Sequence, residues 1–480
     1  MRKTVLLSAS VVLAVLLASG LAPVPPDNGE ASAQTSPKPN IVFVLTDDND
    51  ARTYEEFMPR TNKFIGDAGV TFENATYGHS LCCPSRASIQ RGQYPHNTGV
   101  YKNEPPNGGF ETFRELGMTG DTYATDLSAA GYRTGYFGKY MNGYEGFLSF
   151  EPPGWNHWLA GFPMAREYSL NGQVETAVAD GTTYEEARFD EVVADEGIRW
   201  IRNASARSKP FMAALEFYAP HIPAEHPPEY DAMYQDAPLP KPPSYDEGDL
   251  SDKPARLRAS SPISNEDEAR MTEYHRDRLR SVEYVDRQVA RLVGALKKAG
   301  ELQNTYIVFY SDNGYHLGQH RLPGYTRGGK STPYVEDARF PIVVRGPGIP
   351  QGRTSEAMVQ NVDLRPTFAA MAKTRAPDYV DGVSFLAAAR GTGTFPRRYA
   401  YSERLEGVGG PTDADWKAVY APDAAYHHWF RTGEEELYDL VHDPYELDNV
   451  LAGGASEAEA APFREAMIRM QNCRGAECRR

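Results

Sequence analysis

Two mostly apolar runs along the chain each end abruptly in carboxylate and amide side chains. The runs cover residues 40–46 and 305–311, and their length and continuity are typical of buried strands in a parallel sheet. The polar residues that follow them directly are Asp47, Asp48, Asp312 and Asn313. Because sites in open α/β sheets lie beyond the carboxyl ends of the strands, we predict that these side chains form one site.

Two further predicted strands lead toward cationic or titratable side chains. Residues 132–138 run into Lys139, and residues 211–217 run into a proline-containing loop with His221. A helix is predicted over residues 272–298, where apolar side chains recur on one face at helical spacing. We expect this helix to pack its apolar face on the core, without a functional role.

The C-terminal part of the chain has shorter predicted elements. These strands and a closing helix cover residues 399–402, 417–420, 426–430, 436–440 and 460–470. The Gly-, Thr- and Pro-rich residues 391–396 mark a boundary before them. We therefore predict a large domain over residues 34–390 and a smaller C-terminal domain over residues 391–480.

Two segments without a clear period lie between these elements. They cover residues 143–162 and 224–262, and we predict that both border the substrate cleft, because long ordered loops are often functional. Trp155, His157 and Trp158 lie close together in the first segment, and they could stack on a sugar or an aryl group. Simple packing of these large side chains is the alternative.

Composition restricts the classes of partner. The 480 residues are 41% hydrophobic, which is enough for a large core and for more than one domain. The net charge of −15 argues against a nucleic-acid partner, which would need a basic surface. This charge also opposes long-range attraction of polyanions, although a local basic pocket is compatible with it.

The N-terminus has the pattern of a secretory signal peptide. Two basic residues precede an apolar run over residues 5–17, and small residues follow. We predict a signal peptide over residues 1–33, with cleavage after Ala22 and an uncleaved anchor as alternatives. The predicted location is secreted or periplasmic, with no membrane association after cleavage.

The four cysteines fit an oxidising compartment. They are Cys82, Cys83, Cys473 and Cys478, and four cysteines allow three pairings. The last two close a very short loop, a spacing typical of a local disulfide in an exported protein. We predict this bridge and leave the first two cysteines unpaired on chemical grounds, since spacing alone does not decide the pairing.

Residues 80–92 predict a turn that opens a helix. Pro84 suits the first helical position, because its missing N–H would lack a helical partner there anyway. Ser85 and Arg86 follow on the first turn, and the unpaired N–H groups of a helix start can bind an anion. A cysteine at this place is expected to ionise more readily than one in a core. A buried or disulfide-bonded pair of structural cysteines is the alternative.

The stretch Cys82-Cys83-Pro84-Ser85-Arg86 resembles the signature of the type I sulfatases. In that family the cysteine two places before the proline becomes formylglycine, an aldehyde whose hydrate attacks sulfate esters. The resemblance therefore implies that Cys82 is modified, with a formylglycine-generating enzyme as the partner during maturation. The resemblance covers almost the whole chain after the predicted signal peptide. Within the broader arylsulfatase group, the motifs of this chain look most like those of N-acetylglucosamine-6-sulfatases.

The resemblance also implies a fold and a metal site. The fold would be α/β, with a large mixed, mostly parallel sheet flanked by helices, as in alkaline phosphatase. A smaller C-terminal α+β domain would carry an antiparallel sheet. The residues that would hold one divalent cation together with modified Cys82 are Asp47, Asp48, Asp312 and Asn313. Their hard oxygen ligands suit calcium, with magnesium as the alternative, better than zinc or copper.

The same resemblance implies the catalytic roles. Arg86 would orient the aldehyde hydrate, and the two sulfate-binding lysines would be Lys139 and Lys330. His221 would protonate the departing oxygen as the general acid. These four side chains and Cys82 are the predicted catalytic residues.

The chain departs from the family pattern at two positions. Val335 stands where an acidic residue is common. Met141 stands two residues after Lys139, where arylsulfatases have a histidine that assists turnover, so the role of that histidine is unassigned here.

The predicted function is hydrolysis of aryl or sugar sulfate esters, with a sulfated small molecule or glycan as the substrate. Phosphodiester or phosphonate monoester hydrolysis on the same scaffold is the first alternative. A non-catalytic sugar-binding protein is the second alternative, and it requires that Cys82 is never modified.

Overall fold

The computed structural model describes most of the chain from Lys38 onward. The described residues are 38–161, 167–171, 173–176, 178–179, 182–183, 189–325, 329–405, 415–452, 454 and 457–479. The predicted signal peptide, residues 1–33, lies outside these ranges. Within them, no helix has both the length and the apolar character that a membrane crossing requires.

Sixteen strands are found in the described part of the chain. They are β1 (Asn40–Asp47), β2 (Val70–Phe72), β3 (Arg133–Lys139), β4 (His157–Gly161), β5 (Glu167–Leu170), β6 (Gln173–Thr176), β7 (Val178–Ala179), β8 (Thr182–Thr183), β9 (Phe211–Pro220), β10 (Thr305–Ser311), β11 (Ile342–Arg345), β12 (Arg353–Ser355), β13 (Ala400–Arg404), β14 (Trp416–Tyr420), β15 (Ala424–Trp429) and β16 (Glu434–Asp439). The four strands predicted to border the site are confirmed as β1, β3, β9 and β10.

Ten of these strands form one large mixed sheet. Their order across the sheet is β12-β2-β11-β10-β1-β9-β3-β4-β5-β6. The central strands β10, β1, β9, β3 and β4 are parallel to one another. The outer pairs are antiparallel, except that β12 is parallel to β2. This arrangement confirms the predicted fold class.

Helices flank the sheet. They are α1 (Ala51–Phe57), α2 (Pro59–Thr61), α3 (Cys82–Arg91), α4 (Pro95–Thr98), α5 (Gly109–Glu115), α6 (Tyr123–Ala129), α7 (Phe189–Ser205), α8 (Ala255–Arg258), α9 (Asn265–Lys298), α10 (Val335–Ala338), α11 (Leu364–Met371), α12 (Leu386–Arg390) and α13 (Glu457–Met470). Single helical turns of other types cover Asn62–Gly66, Met118–Gly120, Tyr144–Phe147, Pro228–Tyr230, Leu302–Asn304, Asn361–Asp363 and Gly475–Arg479. Helices α7 and α9 pack on each other and on β9, while α3, α6 and α11 form a second group.

Strand β1 lies at the centre of the sheet. All of its residues are buried, which explains why residues 41–45 are an uninterrupted apolar run. Its parallel pairing with β10 and β9 places Thr46 beside Ser311 and Asp47 beside Pro220. The carboxyl ends of three neighbouring strands therefore meet at one edge of the sheet.

Helix α9 begins at Asn265, earlier than the predicted start near residue 272. Ser264 caps it through a reciprocal pair of bonds: Ser264 Oγ accepts from the Asp267 N–H over 3.0 Å, and Asp267 Oδ2 accepts from the Ser264 N–H over 3.4 Å. The first turns of α9 are largely polar, so its apolar periodicity does not reveal where the helix starts.

The C-terminal strands form a separate antiparallel sheet in the order β13-β14-β15-β16. Cys473 and Cys478 form the predicted disulfide, and Cys82 and Cys83 are free. The four-stranded sheet confirms the antiparallel part of the fold prediction. The domain boundary after residue 390 stays a prediction.

Two aromatic residues of the first predicted loop, Trp155 and Trp158, are core residues. Trp158 is fully buried, and its ring centroid lies 4.5 Å from that of Tyr136. Trp155 is also buried, with its ring centroid 5.2 Å from that of Tyr136. Residues His157–Gly161 form strand β4 beside β3, so the packing alternative is correct and stacking of these rings on a substrate is wrong.

Candidate active site

The polar ends of β1 and β10 lie side by side. The main-chain N–H of Asp48 donates to Asp312 Oδ1 over 3.2 Å, and Asn313 Nδ2 donates to Asp48 Oδ1 over 2.7 Å. Asp48 has a φ of 61°, a left-handed conformation that aspartate adopts more readily than most residues. Consecutive residues of a regular strand point to opposite faces. This turn is therefore what allows both Asp47 and Asp48 to approach Cys82.

Four side chains at this edge have the geometry of a cation site. One ligand atom each from Asp47, Asp48, Cys82 and His221 lies within 4.8 Å of the other three. Asn313 Oδ1, next to them, is buried and has no hydrogen-bond partner. A half-turn of the side-chain amide would exchange its nitrogen and its oxygen. After this exchange, the amide oxygen of Asn313 would lie beside the carboxylate of Asp48. Carboxylate and amide oxygens are the ligands that calcium and magnesium prefer.

Cys82 is the first residue of helix α3, and Pro84 is therefore the third residue and not the first. The Cys82 thiol donates to Asp47 Oδ1 over 3.5 Å and accepts from Lys330 Nζ over 2.9 Å. Burial and the neighbouring Asp47 raise the pKa of this thiol to about 12. The expectation of an easily ionised thiol is wrong for the unmodified residue, because desolvation outweighs the nearby lysines.

Cys83 has a different environment from Cys82. It belongs to the main hydrophobic core, and its main-chain N–H donates to Asn103 Oδ1 over 2.9 Å. Burial raises the pKa of its thiol to about 12. Cys83 is a packed core residue beside the site.

Arg86 lies beneath the acidic cluster and is buried. Its Nε donates to Asp312 Oδ2 over 2.8 Å, and its Nη1 donates to Glu216 Oε2 over 2.8 Å and to the Lys139 carbonyl over 2.6 Å. Its Nη2 lies 3.5 Å from Asp47 Oδ2. Arg86 thus links the ends of β1, β3 and β10 to the interior of β9.

Glu216 was not predicted as a site residue. It is buried in β9 and is the only charged residue of the apolar run 211–217, a signal from which it could have been found. Burial raises its pKa to about 7, although Arg86 opposes the shift. Glu216 contacts Arg86, which in turn contacts Asp312 at the candidate cation site.

The two predicted lysines each contact a carboxylate of the cluster. Lys139 Nζ donates to Asp47 Oδ2, and Lys330 Nζ donates to Asp48 Oδ1 over 2.5 Å. Burial opposes the charged form of Lys330, but Asp48 and Cys82 raise its pKa well above the usual value. Burial likewise opposes ionisation of Asp47, but Lys139 and other cations hold its pKa well below the usual range.

Histidine 221 borders the cluster on the side of the β9 loop. His221 Nε2 lies 3.7 Å from Asp48 Oδ2, and its Nδ1 lies 2.7 Å from the Ile222 carbonyl. A carbonyl can only accept, so Nδ1 carries the proton and Nε2 is the nitrogen directed at the cluster. Burial, with Lys330 in support, lowers the pKa of His221 to about 4.

A cavity of about 330 Å³ opens beside Lys330. Its other lining residues are Leu81, Lys102, Asn103, Glu104, Ser331 and Arg404. A larger cavity of about 690 Å³ elsewhere contains none of the predicted site residues, so the smaller one is the better substrate cavity. Met141 is buried in the core and supplies no polar group in place of the family histidine.

The structure brings all of the predicted site residues into one connected cluster. They are Asp47, Asp48, Cys82, Arg86, Lys139, His221, Asp312, Asn313 and Lys330. Burial and Asp47 raise the pKa of Asp312 to about 6, the opposite direction from Asp47. The negative charge of Asp47 disfavours ionisation of Asp312, so the pKa values of these two buried carboxylates are shifted in opposite directions.

Comparison with protein families gives two matches. The family model named Sulfatase matches residues 39–374. The model named N-sulphoglucosamine sulphohydrolase, C-terminal, matches residues 329–472.

Curated relatives cover most of the chain. It is 31% identical to the N-acetylglucosamine-6-sulfatase of Capra hircus over 93% of its own length and 86% of that protein. It is 30% identical to the arylsulfatase of Volvox carteri over 93% of its length and 76% of that protein. The chain is 38% identical to the extracellular sulfatase SULF-1 homolog of Drosophila melanogaster. That alignment covers 73% of this chain and 31% of the longer Drosophila protein.

Solved structures share the fold. A protein in complex with its substrate D-glucosamine-2-N,6-O-disulfate aligns with a TM-score of 0.75 at 23% identity, covering 90% of this chain and 96% of the other. The phosphonate monoester hydrolase of Silicibacter pomeroyi aligns with a TM-score of 0.70 at 22% identity, covering 91% and 96%. On the family model and the long alignments to curated sulfatases, the chain belongs to the sulfatase family, and its reaction is the hydrolysis of a sulfate ester.

Proposed function

We propose that Cys82, after conversion to formylglycine, is the nucleophile of this sulfatase. The observation that carries the proposal is the position of Cys82 Sγ, which lies 3.5 Å from Asp47 Oδ1 and 2.9 Å from Lys330 Nζ. The hydrated aldehyde would supply an oxygen nucleophile at this position. Cys83 packs in the hydrophobic core, where its main-chain N–H donates to Asn103 Oδ1.

We further propose that Asp47, Asp48, Asp312 and Asn313 hold one divalent cation, calcium or magnesium. The unpartnered Asn313 Oδ1 and the proximity of the carboxylates support this assignment. The ion would neutralise the carboxylates and polarise the oxygens of the sulfate.

The chain's own cations bind and orient the substrate. Lys330 Nζ, between Asp48 and Cys82, and Lys139 Nζ, on Asp47, place two positive charges where a sulfate group would lie. Arg86 keeps the ends of β1 and β10 at a fixed separation through Asp47 and Asp312.

His221 is proposed to give a proton to the departing oxygen. Its Nδ1 donates to the Ile222 carbonyl, which fixes the ring and leaves Nε2 to exchange a proton. Burial lowers its pKa to about 4, and a sulfate anion bound beside Nε2 would favour the imidazolium. Proton uptake by His221 would therefore accompany substrate binding.

We propose a sulfated sugar as the substrate class. The 330 Å³ cavity beside Lys330 contains Lys102 and Arg404 for anionic groups, and Asn103 and Glu104 for hydroxyl groups. The curated relative from Capra hircus is an N-acetylglucosamine-6-sulfatase, and one structural neighbour is in complex with a sulfated glucosamine. The 6-sulfate of an N-acetylglucosamine unit is the form that we propose.

Export is proposed on three observations. Residues 1–33 have the signal-peptide pattern, Cys473 and Cys478 form a disulfide, and two curated relatives are named extracellular sulfatases. A formylglycine-generating enzyme would act on Cys82 during maturation.

Mass spectrometry and kinetics together test the nucleophile. Peptide analysis of active protein should find the exchange of CH₂SH for CHO at Cys82 alone. Cys82→Ala should abolish hydrolysis of aryl and sugar sulfates, whereas Cys83→Ala, the matched control, should keep most of it. An unmodified Cys82 in fully active enzyme, or the aldehyde at Cys83, would refute the proposal.

Phosphonate monoester hydrolysis is the second candidate, and it rests on the shared fold with the Silicibacter pomeroyi enzyme. Parallel assays of sulfate, phosphate and phosphonate esters with one leaving group distinguish the two reactions. We expect the highest kcat/KM on the sulfate ester.

A further inference from the structure

A second cluster of buried side chains lies outside the active site. One ligand atom each from His320, Glu336 and Glu446 lies within 4.8 Å of the other two. His320 Nε2, Glu336 Oε2 and Glu446 Oε1 are each buried without a hydrogen bond. His320 Nε2 lies 3.7 Å from Glu336 Oε2, and Glu446 Oε1 lies 3.3 Å from His427 Nε2. Buried polar atoms are normally paired, so three such atoms close together require an explanation.

His320 is held in place by its other ring nitrogen. Its Nδ1 lies 2.7 Å from Glu247 Oε2, and its ring stacks on Tyr334 with the centroids 4.2 Å apart. A carboxylate behind one imidazole nitrogen is the arrangement that orients histidine ligands of metals in proteins. The unpartnered Nε2 is therefore fixed in direction.

Each glutamate is also held by its other carboxylate oxygen. Glu336 Oε1 accepts from Ser244 Oγ over 2.8 Å, and Glu446 Oε2 accepts from the Val335 N–H over 2.7 Å. Each carboxylate thus has one oxygen in a hydrogen bond and one oxygen without a hydrogen bond. Three anchored side chains whose remaining donor atoms lie close together are the geometry of a prepared metal site.

We propose that His320 Nε2, Glu336 Oε2 and Glu446 Oε1 bind a zinc-class divalent metal ion, in a site separate from the active site. One imidazole nitrogen and two carboxylate oxygens suit zinc and its first-row neighbours, whereas calcium prefers oxygen alone. At the active site Asp47, Asp48, Asp312 and Asn313 supply oxygens, whereas unmodified Cys82 and His221 add a sulfur and a nitrogen, so variants must establish which site binds a zinc-class ion. This inference does not depend on the proposed nucleophile or substrate.

His427 is the neighbour that could complete the coordination. Its Nε2 lies 3.3 Å from Glu446 Oε1 without hydrogen-bond geometry, and both of its ring nitrogens are buried and unpartnered. Glu436 Oε2 lies 3.7 Å from His427 Nδ1 and could orient the ring from behind. A fourth ligand would then come from strand β15.

The charges around the cluster favour a cation. Four glutamates face it or its histidines: Glu247, Glu336, Glu436 and Glu446. Lys253 supplies one positive charge, 3.1 Å from Glu247 Oε1. Without a metal, His320 would have to carry a proton between Glu247 and Glu336, which is the alternative that the experiment must separate.

The site would connect the active-site loops to the C-terminal part of the chain. His320 follows the Asn313 turn, Glu336 lies on α10 shortly after Lys330, and Glu446 follows β16. A metal bound by these three residues would stabilise the loop that presents Lys330. Its expected effect is on stability and on the position of that lysine.

Metal titration of the purified, full-length enzyme tests the proposal. The protein is freed of transition metals and kept in excess Ca²⁺, so that the oxygen-rich active site is saturated. We expect Zn²⁺ to bind with one equivalent by calorimetry, and Co²⁺ to give the visible absorption of a low-coordinate nitrogen–oxygen site. Wild-type protein that binds neither ion under these conditions overturns the proposal, and this test needs no variant to fold.

Variants then locate the ion. His320→Gln and Glu446→Gln should each remove Zn²⁺ and Co²⁺ binding, and Glu247→Gln should weaken it about 10–100-fold by releasing the histidine. The matched control is His316→Gln, because His316 is buried in the same loop but bonds Thr332 Oγ1 through its Nε2. Folding of every variant is checked by circular dichroism. Folded His320→Gln or Glu446→Gln protein that keeps full Zn²⁺ affinity contradicts the assignment.

Discussion

At the scale of single residues, Glu216 shows how one buried acid supports the site. It lies in an apolar strand, and its Oε2 accepts from Arg86 Nη1 over 2.8 Å. Glu216→Gln keeps the size of the side chain but removes the charge that balances Arg86 at a pH above the Glu216 pKa of about 7. We expect the free energy of unfolding to fall by about 1–3 kcal/mol, measured by urea denaturation, because a charged buried hydrogen bond is weakened. kcat should fall as well, since Arg86 also holds Asp312.

The control for this substitution is Glu435→Gln. Glu435 pairs with Arg464, and both side chains are about a quarter exposed. Such a pair contributes less than about 1 kcal/mol. Equal losses of unfolding free energy for the two variants would mean that other groups balance the charge of Arg86 without Glu216.

The proposed role of His221 as a proton donor can be tested by comparing substrates with poor and good leaving groups. Proton donation matters most for a poor leaving group, so His221→Ala should slow an alkyl or sugar sulfate severely and an activated aryl sulfate much less. Steady-state kcat/KM for both substrates provides the measurement. His226→Ala is the matched control in the same loop, where His226 contacts Asp231 instead of the cluster. Equal losses on both substrates would assign His221 a positioning role.

At the scale of elements, the contact between β3 and β9 controls the position of Lys139. Gly138 on β3 has a φ of 129°, and a Cβ there would lie 1.9 Å from the Glu216 carbonyl oxygen. Gly138→Ala must therefore push the two strands apart just before Lys139. We expect a large loss of both kcat/KM and thermal stability, measured by sulfatase assay and by calorimetry.

Gly294→Ala is the control for Gly138→Ala. Gly294 is exposed on α9, and a Cβ there meets nothing within 4 Å. Alanine favours a helix interior by about 0.5–1 kcal/mol over glycine, so this variant should be slightly more stable and fully active. A Gly138→Ala variant that behaves like Gly294→Ala would mean that the β3–β9 spacing does not matter.

The elements that carry the site were predictable because their signals are local. The apolar runs that end in Asp47 and Asp312 specify buried strands, and the parallel order then brings their ends together. The start of α9 was not predictable from periodicity, since its first turns are polar and its cap depends on Ser264. The burial of Trp158 and the Glu216–Arg86 pair depend on which strands become neighbours, and local sequence does not contain that information.

At the scale of the whole molecule, side chains distant in sequence join the catalytic part to the C-terminus. His96 on α4 contacts Glu403 Oε1 through Nδ1 over 2.7 Å and the Cys473 carbonyl through Nε2 over 3.0 Å. Asn97 Nδ2 donates to the same carbonyl over 2.8 Å. These bonds connect α4, strand β13 and the disulfide-closed tail. The tail is therefore part of the fold that holds the residues following α3.

The His96 contacts predict a pH dependence of stability. Both ring nitrogens face acceptors, so the protonated imidazolium can donate to each of them. Burial alone would lower the pKa of His96, but Glu403 and the Cys473 carbonyl raise it above the usual value. A raised folded-state pKa adds stability that is fully present below the unfolded pKa of about 6.5 and is lost as the pH rises through the folded value.

His96→Gln should therefore destabilise the protein more under mildly acidic conditions than under alkaline ones. We expect a loss of about 1–3 kcal/mol in the free energy of unfolding at mildly acidic pH, because the hydrogen bonds to a charged group disappear. The loss should shrink at alkaline pH, where wild-type His96 is neutral and can donate to only one of its two acceptors. Urea denaturation of both proteins across this range measures the difference, and a loss that does not change with pH would show that His96 stays neutral in the folded protein.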